Sequence, residues 1–255
     1  MRLLIVYFFW FMIYSISGWI YESILCSIRE RKFINRGFLN GPYCPIYGFG
    51  AVIDIIFLGK LKNPTTIFFA GAILACSLEY FTSWAMEKLF HARWWDYSNR
   101  RFNIKGRICL LGAVVFGMFA VLLLKVVHPV IYKYTYRIEE STLNIVSTAL
   151  FAAFSFDTIY TITKLSKFEE KLKELTYLMN NLISVNNGYK KLLLEKIKDM
   201  EIYGEDKLIL IHQHIQKRLN FQERRIIKAF PKLKSLKYNE ALQKVKEFIN
   251  KVDYK

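Results

Sequence analysis

Residues 3–28, LLIVYFFWFMIYSISGWIYESILCSI, hold one charged side chain, Glu22, in 26 consecutive positions. A helix rises about 1.5 Å per residue, so about 20 apolar residues cross a hydrocarbon core about 30 Å thick. This run is long enough. It exceeds the apolar core of a secretory signal, only Arg2 precedes it, and no small-x-small cleavage site follows, so it reads as an uncleaved span. The small residues of a lipoprotein cleavage box are missing before Cys26.

Outward from this run lie further apolar stretches at 45–58, 65–86, 108–127 and 143–163. The first of them is short and contains Asp54, Gly48 and Gly50. It reads as a short span, with a re-entrant segment as the alternative. In lipid only helices and closed barrels satisfy their backbone groups. The expectation is an all-α polytopic membrane protein with about five transmembrane helices, at 3–28, 45–58, 65–86, 108–127 and 143–163.

Charge marks where the membrane part ends. Residues 1–163 hold 16 basic and 9 acidic side chains, whereas 164–255 hold 21 and 12 in about half the length. We read 1–163 as a transmembrane domain and 164–255 as a basic, helical, cytosolic tail. Within the tail, Leu165, Phe168, Leu172, Leu175, Met179 and Leu182 recur at three- and four-residue steps, the seam of a coiled coil or hairpin. Asn186-Asn187-Gly188, Gly204 and Pro231 interrupt it. Nucleic acid is not an expected partner of its basic faces, which suit solvent or a membrane surface.

Lys and Arg are retained on the cytoplasmic side. With a cytosolic tail, the inner loops 29–44 and 87–107 hold ten basic residues, against six at Arg2, Lys60, Lys62, Lys125, Lys133 and Arg137. This puts the N-terminus outside and Trp94, Trp95 and Tyr97 at the inner interface. The four cysteines lack paired spacing, so no disulfide framework is expected.

Glu22, Asp54, Glu79 and Asp157 lie within apolar runs, where a charge costs a few kcal/mol, so each is a candidate for function. Glu79, flanked by Leu78, Tyr80 and Phe81, is expected to be buried and paired. Glu22 and Glu79 fall at similar depths, and Gly41-x-x-Cys44 and Gly106-x-x-Cys109 follow them in turn. The pattern suggests a parallel repeat of two helix pairs, an arrangement in which transporters bind substrate. Glu22, Arg36, Asn40, Cys44, Glu79, Asp96, Arg107 and Cys109 are expected to line one polar vestibule on the inner side, with Arg36 and Arg107 as counter-ions. The same pairs also suit the simple locking of helices. His91 and His128 fall near opposite faces, which argues against a shared catalytic site.

No cofactor and no metal are expected, since thiolate sites come with closer spacing or more His. Gly-x-x-x-x-Gly-Lys-Ser/Thr, His-Glu-x-x-His and Gly-x-Ser-x-Gly are all missing, and the chain is not expected to be an enzyme.

At Gly18-Trp19-Ile20-Tyr21-Glu22, at Asn35-Arg36-Gly37-Phe38-Leu39-Asn40-Gly41-Pro42-Tyr43-Cys44-Pro45-Ile46-Tyr47-Gly48, at Leu78-Glu79-Tyr80, at Arg93-Trp94-Trp95-Asp96-Tyr97-Ser98, at Phe102-Asn103 and at Gly106-Arg107-Ile108-Cys109-Leu110, the sequence resembles a bacterial family. This is the ABC-transporter permease family called CmpB-like, or ABC transporter type IV. The resemblance covers about residues 5–160. It implies a cell-membrane protein, chiefly of Gram-positive bacteria, whose ATPase subunit is a separate chain docked by a cytosolic loop or the tail. The Glu-Ala-Ala loop with which many ABC importer permeases dock their ATPase is not present.

The expected function is a transport-related membrane subunit with an inner-side polar site. The alternative is a non-transporting scaffold that recruits a partner through its tail. Expected partners are membrane lipids, the ATPase or another cytosolic protein, and a second copy of the chain.

Overall fold

The computed structural model describes residues 2–177, 180 and 219–252. Its long helices are α1 (Arg2–Glu30), α3 (Pro64–Phe90) and α6 (Glu140–Leu165), with the shorter α2 (Pro45–Leu58) between the first two. α4 (Leu110–Leu122) continues through a π-helical turn, Leu123–Val127, into α5 (His128–Thr135). The wide turn precedes Pro129, which has no N–H to give the ladder. α1, α3, the run Leu110–Thr135 and the helix that starts at Glu140 are each long and apolar enough to cross a membrane. Their outward faces are apolar, with Leu111, Met118, Phe69, Ile73, Phe156 and Ile159 all exposed, as a lipid solvent requires. The protein is an all-α, multi-pass membrane protein.

Local signals set the helix ends. Asn63 caps α3, its side chain accepting from the Thr65 N–H at 2.9 Å, and Pro64 takes the first turn, where a missing N–H costs nothing. Pro45 does the same for α2.

Contacts at the two ends of the bundle fix the helix directions. At one end Arg2 pairs with Glu140 at 3.3 Å and Trp10 donates to Thr135 at 3.1 Å. At the other, Tyr47 at the start of α2 meets Glu22 near the end of α1, and Asn40 meets Asp157 on α6. So α1, α3 and α6 run toward this second end and α2 and α4 run away from it. Loops 31–44 and 91–109 and the residues after 165 share the second end, called the loop end below.

The short α2 is completed by the chain that precedes it. Residues 34–44 descend the side of α1: Ile34 N–H bonds the Ser27 hydroxyl at 2.9 Å, Arg36 N–H the Ser23 hydroxyl at 3.2 Å, and Cys44 N–H the Ser15 carbonyl at 2.8 Å. α2 therefore starts about halfway along α1 and covers the remaining half. Gly48 and Gly18 permit the close approach, because a Cβ on Gly48 would lie 2.5 Å from the Phe11 carbonyl and one on Gly18 would lie 2.4 Å from Tyr47 Cβ. Irregular backbone at this depth is tolerated where protein groups satisfy it, as α1 does here.

Beyond the membrane helices, residues 168–177 are helical, and α7 (Phe221–Ala229) and α8 (Asn239–Val252) follow. α7 opens with a capping box between Asn220 and Glu223. Leu165, Phe168, Leu172 and Leu175, four residues of the predicted seam, are buried with Leu219, Ile226, Leu233, Leu242 and Val245. The seam thus packs on α7 and α8. Met179, Leu182, the turn at 186–188 and Gly204 lie outside the described residues, and Pro231 begins the turn after α7.

Four two-residue strands tie the loops: β1 (Ala92–Arg93), β2 (Asn103–Ile104), β3 (Ile108–Cys109) and β4 (Lys234–Ser235). β2 pairs with β3 within its loop, whereas β1 pairs antiparallel with β4 of the tail, with Ala92 opposite Ser235 and Arg93 opposite Lys234. Trp94 departs from expectation. It is 4% exposed and packs its ring against Phe230 at 5.0 Å, so it belongs to the core under the tail and not to a lipid interface.

Candidate functional site

Glu22 sits on α1, two turns before that helix ends. The Tyr47 hydroxyl donates to its Oε1 at 2.7 Å, and Arg36 Nε stands 3.7 Å from Oε2. Arg36, one of the two expected counter-ions, is thus paired with Glu22. It is also committed elsewhere, donating to the Ala229 carbonyl and lying over the Phe230 ring at 4.2 Å. Cys44 is buried beside it, its Sγ donating to the Arg36 carbonyl at 3.4 Å, and forms the extended N-cap of α2 without a side-chain bond to the helix.

Glu79 on α3 is 6% exposed, and its Oε1 accepts from the Tyr97 hydroxyl at 3.1 Å. Burial and the neighbouring Glu79 carboxylate both raise the Tyr97 phenol, which keeps it protonated as the donor. Glu79 is buried as expected, yet its partner is a neutral hydroxyl and not a cation. Arg107, the predicted counter-ion, turns away: it pairs with Glu87 at 3.1 Å and donates to the Tyr80 hydroxyl at 3.2 Å. Cys109 is buried and forms the extended N-cap of α4, as Cys44 does for α2.

The two helix pairs thus share a pattern. Counting from the matched cysteines, Tyr47 corresponds to Gly112. A Cβ on Gly112 would lie 4.0 Å from Glu79 Oε2, so the space is vacated there and Tyr97 brings the hydroxyl from the loop instead.

Asn40 belongs to a different contact. Asp157 on α6 collects five donors: Asn40 N–H at 3.2 Å, Asn40 Nδ2 at 2.8 Å, Gly41 N–H at 2.8 Å, the Tyr43 hydroxyl at 2.8 Å and the Thr161 hydroxyl at 3.2 Å. On the opposite side of the same loop, Arg225 of α7 donates to the Gly37 and Phe38 carbonyls at 2.8 and 2.6 Å. Burial pushes Arg225 down to about 10, which leaves it charged at neutral pH. The loop is suspended between α6 and the tail.

Asp96 also faces the tail. Lys234 reaches its Oδ2 at 2.7 Å and the Ser98 hydroxyl its Oδ1 at 2.5 Å, and these hold the carboxyl well below the usual carboxylate range, Lys234 first. Gly106, at φ 68°, makes this turn possible, since a Cβ there would meet Ser98 Oγ at 2.5 Å. Asp54, the remaining intramembrane acid, is 7% exposed on α2.

Of the eight predicted residues, Glu22, Arg36 and Cys44 cluster on one helix pair and Glu79 and Cys109 on the other. Asn40 and Asp96 anchor the two loops, and Arg107 lines a separate cavity described below. Sequence reading left Tyr47 and Tyr97 out of the site, although each sits in a quoted motif, three residues after Cys44 and one after Asp96. Arg225 carried no signal beyond the tail's charge. Among the described residues no group of three or more His, Cys, Asp or Glu is arranged to hold a metal ion.

A family model described as "Putative ABC-transporter type IV" matches residues 9–162, the part of the chain that holds both glutamates, both loops and Asp157. No curated protein and no solved structure matches the chain.

Proposed function

The chain belongs to the family described as Putative ABC-transporter type IV, and from that premise we propose that it is a transport subunit with a polar site on its inner side, built around Glu22 and Glu79. One observation carries the reading. Two intramembrane carboxylates, one on each helix pair, are each held by a tyrosine hydroxyl, at 2.7 and 3.1 Å, and among the described residues Arg36 is the one cation paired with either. Neutral donors orient a carboxylate without cancelling its charge. A site so built accepts a cation or a proton. The subunit is not itself an enzyme; ATP hydrolysis comes from a second chain.

The loop end is the cytoplasmic end in this proposal, which puts the N-terminus outside the cell membrane. The basic residues of loops 29–44 and 87–107 support it. The motif resemblance adds a Gram-positive host. The ATPase docks on the loop end, where Arg225 of α7 and Lys234 of β4 hold the two loops.

The five donors on Asp157 and the Arg225 clasp favour a second reading, a scaffold whose polar motifs lock its helices while the tail recruits a partner. Purification in mild detergent, with and without residues 164–255, separates the two. A stoichiometric ATPase supports the transport subunit. A different partner that is lost with the tail supports the scaffold.

A further inference from the structure

At the loop end of α3 a cavity of about 510 Å³ is lined by Tyr80, Phe81, Trp84, Glu87, Lys88, Lys105 and Arg107. Phe81, Trp84 and Lys88 fall at three- and four-residue steps, so they share one face of the helix. Phe81 is 61% and Trp84 43% exposed on the lipid side. Counted from Pro64, about 20 residues of helix use up the hydrocarbon thickness, which brings Trp84 to the interface and leaves Lys88 in the headgroup layer. The lining therefore changes from aromatic to cationic along the membrane normal.

The charges do not cancel within the protein. Glu87 is already shared by Arg107 at 3.1 Å and Arg93 at 3.4 Å. Among the described residues no carboxylate pairs with Lys88 or Lys105. Arg107 is 9% exposed, and its Nε is buried without a partner although both terminal nitrogens are bonded. An aromatic wall alone would suit a quaternary ammonium, but three cations repel one, and the Tyr80 ring face is already taken by Arg107 at 5.1 Å.

We propose that this cavity binds the phosphate headgroup of an anionic phospholipid from the leaflet at the loop end, with an acyl chain lying along Phe81 and Trp84. Lys88 and Lys105 supply the positive charge that pairs with the headgroup phosphate, and Arg107 positions it from the buried wall. Arg107 and Glu87 also link the cavity to β3 and the Trp95 loop, because Trp95 donates to the Arg107 carbonyl at 3.1 Å. The inference is independent of the transport reading.

The test uses the full chain in nanodiscs and tryptophan quenching by brominated lipids, with Trp84→Phe subtracted to isolate the Trp84 signal. Brominated phosphatidylglycerol is expected to quench Trp84 about fivefold to thirtyfold more effectively than brominated phosphatidylcholine at equal mole fraction, the enrichment that one to two near-surface lysines provide. The double variant Lys88→Gln/Lys105→Gln, at exposed positions outside the fold's cores, is expected to bring the two lipids to parity. Equal quenching in the unaltered protein, or a preference that survives in the double variant, overturns the proposal. Loss of the preference on addition of soluble glycerol 1-phosphate also overturns it, by assigning the cavity to a free phosphate ester.

Discussion

Asp157→Ala removes the acceptor of five hydrogen bonds at once. The Asn40, Tyr43 and Thr161 side chains have freedom to turn toward other groups, but the backbone N–H groups of Asn40 and Gly41 do not. Each such donor left unpaired costs about 1–3 kcal/mol, so the two together cost about 2–6 kcal/mol, and because both are only partly buried a loss of about 3 kcal/mol in the loop's hold on α6 is expected. At about 1.4 kcal/mol per tenfold, the open state of residues 31–44 gains about a hundredfold in population. Cys44 reports on it, since it is 8% exposed and sits where this loop enters α2. In a background with Cys26, Cys76 and Cys109 replaced by Ala, maleimide labelling of Cys44 is expected to speed up about a hundredfold in Asp157→Ala. In Asp157→Asn, which keeps one acceptor oxygen, about tenfold is expected. An unchanged rate in Asp157→Ala, with helical circular dichroism intact, refutes the assignment of Asp157 as the anchor of the loop.

Arg225→Ala removes the charged bonds to the Gly37 and Phe38 carbonyls and should free the tail from the loop; the buried Trp94 then shifts its emission to the red, and an unshifted spectrum counts against the clasp. Gly48→Ala forces a Cβ within 2.5 Å of the Phe11 carbonyl and should lower stability by about 1–3 kcal/mol in a thermal melt, whereas at Gly50, where the nearest atom is 3.8 Å away, the same change is expected to be neutral. The Asp96 carboxyl is depressed by Lys234, so its stabilisation of the β1–β4 contact is complete above the unfolded value of about 3.9 and is lost as pH falls below it. Proteolysis of the tail should therefore rise on acidification through that window, and Lys234→Ala should remove this part of the pH dependence while raising cleavage at neutral pH.

Hydropathy made the helices legible. Crossing lipid demands an uninterrupted apolar run, and Pro45 and Leu58 even bound α2 as the sequence suggested. Glu22 and Glu79 were legible for the same reason, since a charge within such a run has few explanations. Their partners were less so. Arg107 was expected as a counter-ion in the vestibule, but Glu87, two turns beyond Glu79 on α3, takes it. Asp157 was singled out as an intramembrane acid, yet four of its five donors come from a loop more than a hundred residues away, which no local pattern encodes. The tail's docking was hidden likewise. It rests on two-residue strands and on backbone carbonyls that accept from Arg36 and Arg225, and neither leaves a periodic signature. The heptad seam announced burial correctly for Leu165, Phe168, Leu172 and Leu175, but periodicity names no partner, and here the partners are α7 and α8.

The central claim is that Glu22 and Glu79 form a site for a cation or proton in a transport subunit. We would reconstitute the protein, with the ATPase subunit expected to co-purify with it, into liposomes that hold a pH or cation dye, add ATP, and compare it with Glu79→Gln. An ATP-dependent flux that Glu79→Gln abolishes, while that variant stays folded and membrane-inserted, is the predicted result. Flux that survives the substitution, or a variant that fails to fold, contradicts the account and leaves the glutamate as a helix lock.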